Sequence, residues 1–564
     1  MRRPRPPRTG PWQVSLTAVD RRLRIGDEPA AGTTIYRAAR VLAMTADEPE
    51  AFAVRNGRVT ATGRLDDLSA RWPAAEQVDL GDAVVVPGFN DAHAHLAITA
   101  EDMLHLDLSP DAVRSLADLR TLVQAWAART PPESWVRGSR YDDAKMAEGR
   151  ALTRFDLDEA APHHPVLVTH VAGHWGVVNS MALDLAGIDE RSEAPAGGAL
   201  GRDASGRLNG VLYEQALFDL AMPQLSRAGR TPLPAAGLEE RLQGLLRAQR
   251  RFHAAGLTSI GDALVGPDDA RLLVAAARRG LLSLRVTMLL AADHADAIRR
   301  QEPLDGLSEE RLRVGGVKTF VDGAVGGRTC LLEEPFEGRT DDYGIQSRST
   351  AELRDVVRRA QEEGTRVCVH ANGDRAIRII LDLLEEAQAE WPRPGLRHRI
   401  EHCTVVTEEI LRRLHRLQAI AVPFGSYVHY HGSRLLDWYG ERRLGRMFAH
   451  RWLLDAGVAV AGSSDFPCGP CEPLLGLQSC VTRQGWDGPL LGAEQRVTAR
   501  EALELYTVRA SDAAGDGVVK GRLAAGQLAD FVVLGGDPLR VEPTALGSLP
   551  VLATYVGGLR VWPD

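Results

Sequence analysis

Apolar and polar residues alternate over short stretches at both ends of the chain and over longer cycles through its middle. TTIYRAARVLAM, FAVRNGRVTATG and VDLGDAVVVPG read as strands separated by turn signals, and Asn56-Gly57 predicts a hairpin. The closing stretches GRLAAGQLADFVVLGGDP and VLATYVGGLRVWPD have the same texture. These ends, 33–86 and 500–564, are expected to pair into one small composite β-sandwich domain. Between them, eight apolar runs alternate with helical stretches such as ELRDVVRRAQEEG and DRAIRIILDLLEEAQAEW. The runs lie near 82–90, 257–263, 282–290, 313–323, 365–374, 397–403, 419–425 and 458–467. This spacing predicts an α/β fold, a (β/α)8 TIM-like barrel over 87–499 with its site at the C-terminal strand ends. Residues from about 96 to 255 are too many for one connection and read as an inserted region roofing the site.

A chain of 564 residues accommodates one large domain and a smaller one. Its net charge of −8 gives no reason to expect nucleic acid or an anionic membrane as partner. No apolar run reaches the roughly 20 residues of a bilayer span. The opening MRRPRPPRTGPW has a twin-arginine look, but charges interrupt the next twenty residues, so 1–32 reads as a mobile Arg/Pro-rich extension. Six cysteines in so long a chain read as free thiols in a reducing cytoplasm. One bias matters more: Lys145, Lys318 and Lys520 are the only lysines. Arginine replaces lysine as a surface charge, but not where an amine must lose its proton and react.

In VVVPGFNDAHAHL, His93 and His95 stand two apart at a strand end, so both side chains leave one face and suit one divalent metal. With 16 histidines, one such pair can arise by chance. Weight comes from where the other candidates fall. His370 ends TRVCVH, His402 ends RHRIEH, and Asp465 comes directly after VAVAGSS. Lys318 lies in the apolar run GGVKTFVDG, where an unpaired charge is costly. Either it pairs with Asp322, or it is neutral and adds carbon dioxide to become a carbamate bridging two metals.

His93-x-His95, Lys318, His370, His402 and Asp465 occur in the ligand order of the binuclear amidohydrolase superfamily, where strands one, four, five, six and eight supply the ligands. PGFNDAHAH, HVAGHWGVVNSMAL, KTFVDGAVGGRTCLL, VHANGDRAI, RIEHC and GSSDFP make the chain resemble amidohydrolase family 3, which includes N-substituted formamide deformylases. The resemblance covers roughly residues 35–560. It implies a hydrolase acting on a C–N bond of a small molecule, with zinc as the first choice among divalent metals, one or two per chain. His93, His95, carbamylated Lys318, His370 and His402 would hold the metal. Asp465 would touch it and carry the proton from water to the leaving nitrogen.

Weaker candidates for substrate contact are His174, Glu214, Arg328 and Tyr427. For each an ordinary structural role competes, and for Arg328 that role is a salt bridge with Glu333 or Glu334. Asn179 matches a family phrase and is either pocket-lining or structural. Cys468-Gly-Pro-Cys471 has the spacing of a redox pair but lacks a thioredoxin-like context. His429 and His431 fall in a loop whose wording departs from the family, which puts the substrate in doubt rather than the reaction. Two other readings compete: a mononuclear deaminase of the same fold, against which Lys318 argues, and a non-catalytic scaffold, against which the complete ligand set argues. A homo-oligomer remains open.

Overall fold

The computed structural model describes residues 32–228 and 231–563. Residues 1–31 of the expected extension lie outside them.

Eight parallel strands curl into a barrel: β1 Phe89–Ala94, β2 Leu257–Val265, β3 Arg285–Ala291, β4 Leu312–Phe320, β5 Val367–Ala371, β6 Arg399–His402, β7 Ile420–Val422 and β8 Ala459–Val460. All nine residues of β2 are buried, as expected where helices cover one face and packed side chains the other. Backbone bonds close the ring just beyond β8. The Ala92 N–H donates to the Gly462 carbonyl at 3.1 Å, and the Asp465 N–H donates to the His93 carbonyl at 2.9 Å. The stretches ELRDVVRRAQEEG and DRAIRIILDLLEEAQAEW build the helices Thr350–Glu363 and Asp374–Glu390. Ser349 caps the first through a reciprocal bond with Glu352.

The run expected as the first barrel strand divides in two. Val84–Pro87 pairs antiparallel with Phe531–Leu534, and the chain enters the barrel only at Phe89. Gly88 makes the crossing possible, because a Cβ there would lie 2.3 Å from the Thr258 hydroxyl.

The chain ends build two small sheets. One orders Arg58–Gly63, Ala51–Arg55, Thr34–Arg37 and Glu76–Asp79; Arg40–Val41, Val84–Pro87, Phe531–Leu534, Val551–Val556 and Leu559–Trp562 form the other. Asn56 and Gly57 form the predicted two-residue turn, both with positive φ, at 51° and 73°. Tyr36, Phe52, Phe531 and Tyr555 interlock between the sheets, with ring centroids 4.3–5.7 Å apart. Residues 500–514, assigned to this domain by sequence, instead belong with the barrel. Helices Ala499–Leu505 and Val508–Ala514 lie there, and Ala510 and Ala513 pack against Ala92, Ile420 and Val422.

The inserted region is also shorter than expected. Helices Leu96–Asp102 and Leu238–Ala254 belong to the barrel's outer layer. They pack so closely that a Cβ on Gly244 would meet the Ala100 carbonyl at 1.9 Å. Between them a six-stranded sheet runs from Leu106–Asp107 to Leu208–Glu214 with its own core, and it supplies the roof.

Candidate metal centre and cavity

The C-terminal strand ends surround a cavity of about 270 Å³ whose wall includes His95, Lys318, His370, His402 and Asp465. His93 lies beneath, fully buried. Among the described residues, His93, His402 and Asp465 each bring one donor atom to within 4.8 Å of the others. Asp465 Oδ1 lies 3.3 Å from His93 Nε2 and 3.1 Å from His95 Nε2. The His370 and His402 rings stand 4.5 Å apart, so the fifth strand delivers its histidine beside the sixth. Two buried ring nitrogens, His93 Nε2 and His402 Nδ1, have no hydrogen-bond partner among the described residues. Unsatisfied nitrogens beside a carboxylate fit a divalent cation, which takes imidazole and carboxylate donors.

Local backbone conformation turns these groups inward. His402, Cys403 and Asp465 all have positive φ, at 71°, 43° and 55°. Such backbone is costly for residues other than glycine and tends to mark functional sites. The imidazoles counteract burial at Asp465 and hold its carboxyl well below the usual range. Burial pushes His402 and His370 down, which favours neutral rings able to ligate.

Lys318 is 2% exposed, its Nζ 4.4 Å from the centre of the Phe320 ring. Burial lowers its pKa, opposed in part by Glu401 and Asp465. The alternative pairing with Asp322 does not occur: that carboxylate accepts backbone N–H groups of Leu331, Asn372 and Gly373.

Of the weaker candidates, His174 lines the cavity. Its Nδ1 meets Glu214 Oε2 at 2.8 Å, and Glu214 more than offsets the effect of burial, so the His174 pKa is raised. Glu214 therefore stands behind His174, and its other oxygen accepts from Thr329. Tyr427 touches the carboxylate rather than the main cavity, donating to Asp465 Oδ2 at 3.2 Å. It stacks on Phe424, which stacks on His402. Arg328 is a correction: it is exposed outside the main cavity, over the Trp438 ring at 5.9 Å. Its expected partners are taken, Glu333 by Arg378 and Glu334 by Arg442. Asn179 caps the helix Ser180–Ala186. Cys468 and Cys471 are buried free thiols, and Cys468 lines the cavity.

Sequence reasoning overlooked two groups. Glu401 meets His93 Nδ1 through Oε2 and is gripped by Arg399. RIEHC contains it, and its place two residues from Arg399 on one strand face was a usable signal. In the roof, Asp142, Asp143 and His170 also converge, and Tyr430 donates to Asp142 at 2.9 Å. That contact ties the roof to the barrel mouth, and no local pattern announced it.

The sequence profile described as the Amidohydrolase family matches residues 76–562. YtcJ of Bacillus subtilis (strain 168) is 32% identical over 527 residues, covering 92% of this chain and 96% of that protein. N-substituted formamide deformylase of Arthrobacter pascens is 31% identical over 518 residues, covering 90% and 94%. A crystal structure of an uncharacterized metal-dependent hydrolase from Pyrococcus furiosus superposes with a TM-score of 0.69 at 25% identity, covering 90% of this chain and 100% of that one.

Proposed function

This chain belongs to the amidohydrolase family, and we propose that it hydrolyses the C–N bond of an amide-like small molecule at the cavity holding Asp465 and its neighbouring imidazoles. That it is a metal-dependent hydrolase agrees with the family and with the P. furiosus structure. The observation that carries the finer reading is the convergence of His93, His402 and Asp465, with two unsatisfied buried nitrogens, at the mouth of the barrel.

His93, His95, His402 and Asp465 would hold a first divalent ion, zinc by donor chemistry, and His370 with Lys318 a second. Bound there, a divalent ion supplies Lewis acidity and makes hydroxide available near neutral pH. Lys318 would suit a ligand role because its buried amine, with its pKa lowered by burial, could add to carbon dioxide. A new N–C bond would form as one C=O π bond of carbon dioxide opens and one proton leaves, giving the side chain two oxygens able to ligate a cation.

Water then adds across the C–N bond. Asp465 takes a proton from the attacking water and delivers it to the leaving nitrogen, so a carboxylic acid and an amine result. Tyr427 fixes the carboxylate by donating to Oδ2, which leaves Oδ1 turned to His93 and His95. His174, held by Glu214, lines the cavity beside His370, their ring centroids 5.0 Å apart, and would orient the carbonyl group.

The test is metal removal and reconstitution, with turnover measured on N-acyl and N-formyl compounds, lactams and cyclic ureas. Chelation should abolish activity, and zinc, manganese or cobalt should restore it. Full activity in a verified metal-free preparation overturns the reading.

A further inference from the structure

Hydrolysis consumes one water per turnover, and a guest filling the main cavity would obstruct the front approach to Asp465. Behind Asp465 lies a second, much smaller cavity of about 10 Å³, lined in part by Asp465, Tyr427, Asn372, Phe424 and His431. A space of that size holds about one water when polar partners are there to bind it.

His431 is such a partner, and it comes from the stretch whose wording departs from the family. It is 7% exposed, and its Nε2 has no hydrogen-bond partner among the described residues. Burial pushes its pKa down to about 3, so the ring is neutral. Each nitrogen of a neutral imidazole either donates or accepts, and water answers both. Left dry, the nitrogen would be an unsatisfied buried polar atom, which is costly. Tyr427 lines the same cavity with its ring centroid 4.9 Å from that of His431. Its hydroxyl donates to Asp465 Oδ2 at 3.2 Å, and a donating hydroxyl can still accept.

Gly326 lines this cavity and also a surface hollow of about 230 Å³, whose wall includes Asp143, Trp175, Tyr213 and the exposed Arg328. A Cβ on Gly326 would stand 3.1 Å from His431 Cε1 and 3.8 Å from Ala172 Cβ. Glycine thus leaves a gap beside His431 that a single methyl group would narrow.

We infer that His431 holds an internal water behind Asp465, and that a passage at Gly326 replenishes it from the surface hollow while substrate occupies the front cavity. The supply role rests on the hydrolase reading; the water site does not.

The first test is a crystal structure of the metal-loaded enzyme at a resolution that shows water. An ordered water within about 3.2 Å of His431 Nε2 is expected, and none there overturns the site. His431→Phe keeps a ring of similar size without the nitrogen, so the water should vanish. A water that persists in that variant overturns His431 as its holder. The second test is kinetic and uses Gly326→Ala, checked for folding by circular dichroism. Its kcat should fall by about tenfold more on the largest amide the enzyme cleaves than on the smallest, because only the larger one closes the front. A merely structural defect would lower both alike, so equal losses, or none, overturn the passage. No turnover of any C–N compound despite bound metal would instead mark failure of the hydrolase reading. The passage is then judged by structure: loss of the water in Gly326→Ala supports it, and an unchanged water overturns it.

Discussion

Arg399 grips Glu401 in a bidentate pair, its Nε 2.7 Å from Oε1 and a second guanidinium nitrogen 2.8 Å from Oε2. Glu401 in turn meets His93 Nδ1, and Arg399 also donates to the Ala92 carbonyl at 2.8 Å. The sixth strand thereby fixes the ring angle of a histidine on the first. Both charges are buried, and Arg399 and His93 outweigh burial to hold the Glu401 carboxyl well below its ordinary range.

Glu401→Gln should therefore weaken metal binding by about 10–100-fold, the usual cost of losing a carboxylate behind a ligating histidine. Competition with a coloured chelator measures it, and unchanged affinity would remove Glu401 from this role. Arg399→Met strands a buried carboxylate and should cost about 3–5 kcal/mol in urea unfolding.

Asp465→Asn keeps an oxygen near the imidazoles but removes the proton carrier. Turnover should fall by about 10²–10⁴-fold while metal content changes far less. Tyr427→Phe loses only the hydroxyl on Oδ2, so a drop of about tenfold is expected. Stopped-flow kinetics beside metal analysis separates the two effects. Wild-type turnover in Asp465→Asn would place the proton carrier elsewhere.

Lys318→Ala should lose at least one metal per chain, with partial recovery of activity when short carboxylic acids fill the vacated space. Lys318→Arg should do no better than alanine, because guanidinium stays protonated and cannot add carbon dioxide. A structure of the metal-loaded protein with density ending at a plain ammonium would sink the carbamate.

Arg285 on β3 pairs with Asp530 of the composite domain, Nε to Oδ2 at 2.6 Å and a second nitrogen to Oδ1 at 2.8 Å. Burial opposes ionisation of Asp530, but Arg285 prevails and its pKa is lowered. A depressed carboxyl adds stability that is present above its unfolded pKa, about 3.9, and is lost as pH falls through the folded value. Asp530→Asn should thus be less stable than wild type near neutrality, with the gap closing below about pH 4. Thermal melts across pH provide the check, and a gap independent of pH would mean the pair's charge contributes nothing.

Much of this was legible in one dimension. Strand alternation and the spacing of helical stretches placed eight parallel strands, because both periodicities are local properties of the backbone. Residues at the C-terminal ends of those strands face one rim, so His93, His95, His370, His402 and Asp465 could be grouped by strand position, and the family resemblance gave them their expected roles. The lysine bias singled out Lys318 for the same reason: it is a statement about residue chemistry.

Contacts across the barrel were a different matter. Glu401 and His93 are 308 residues apart. Their meeting depends on the ring closing between β1 and the segment after β8, and on the register of strands between. Arg328 comes after a strand bearing a candidate ligand, yet the loop turns it onto Trp438. Tyr427 came to Asp465 through its short helix Tyr427–His431. The pairing of Arg285 with Asp530 was also hidden, because a charge in a sequence carries no record of its partner. Local periodicity is encoded residue by residue, whereas closure, register and charge pairing arise only when distant segments share space, and tertiary structure decided those.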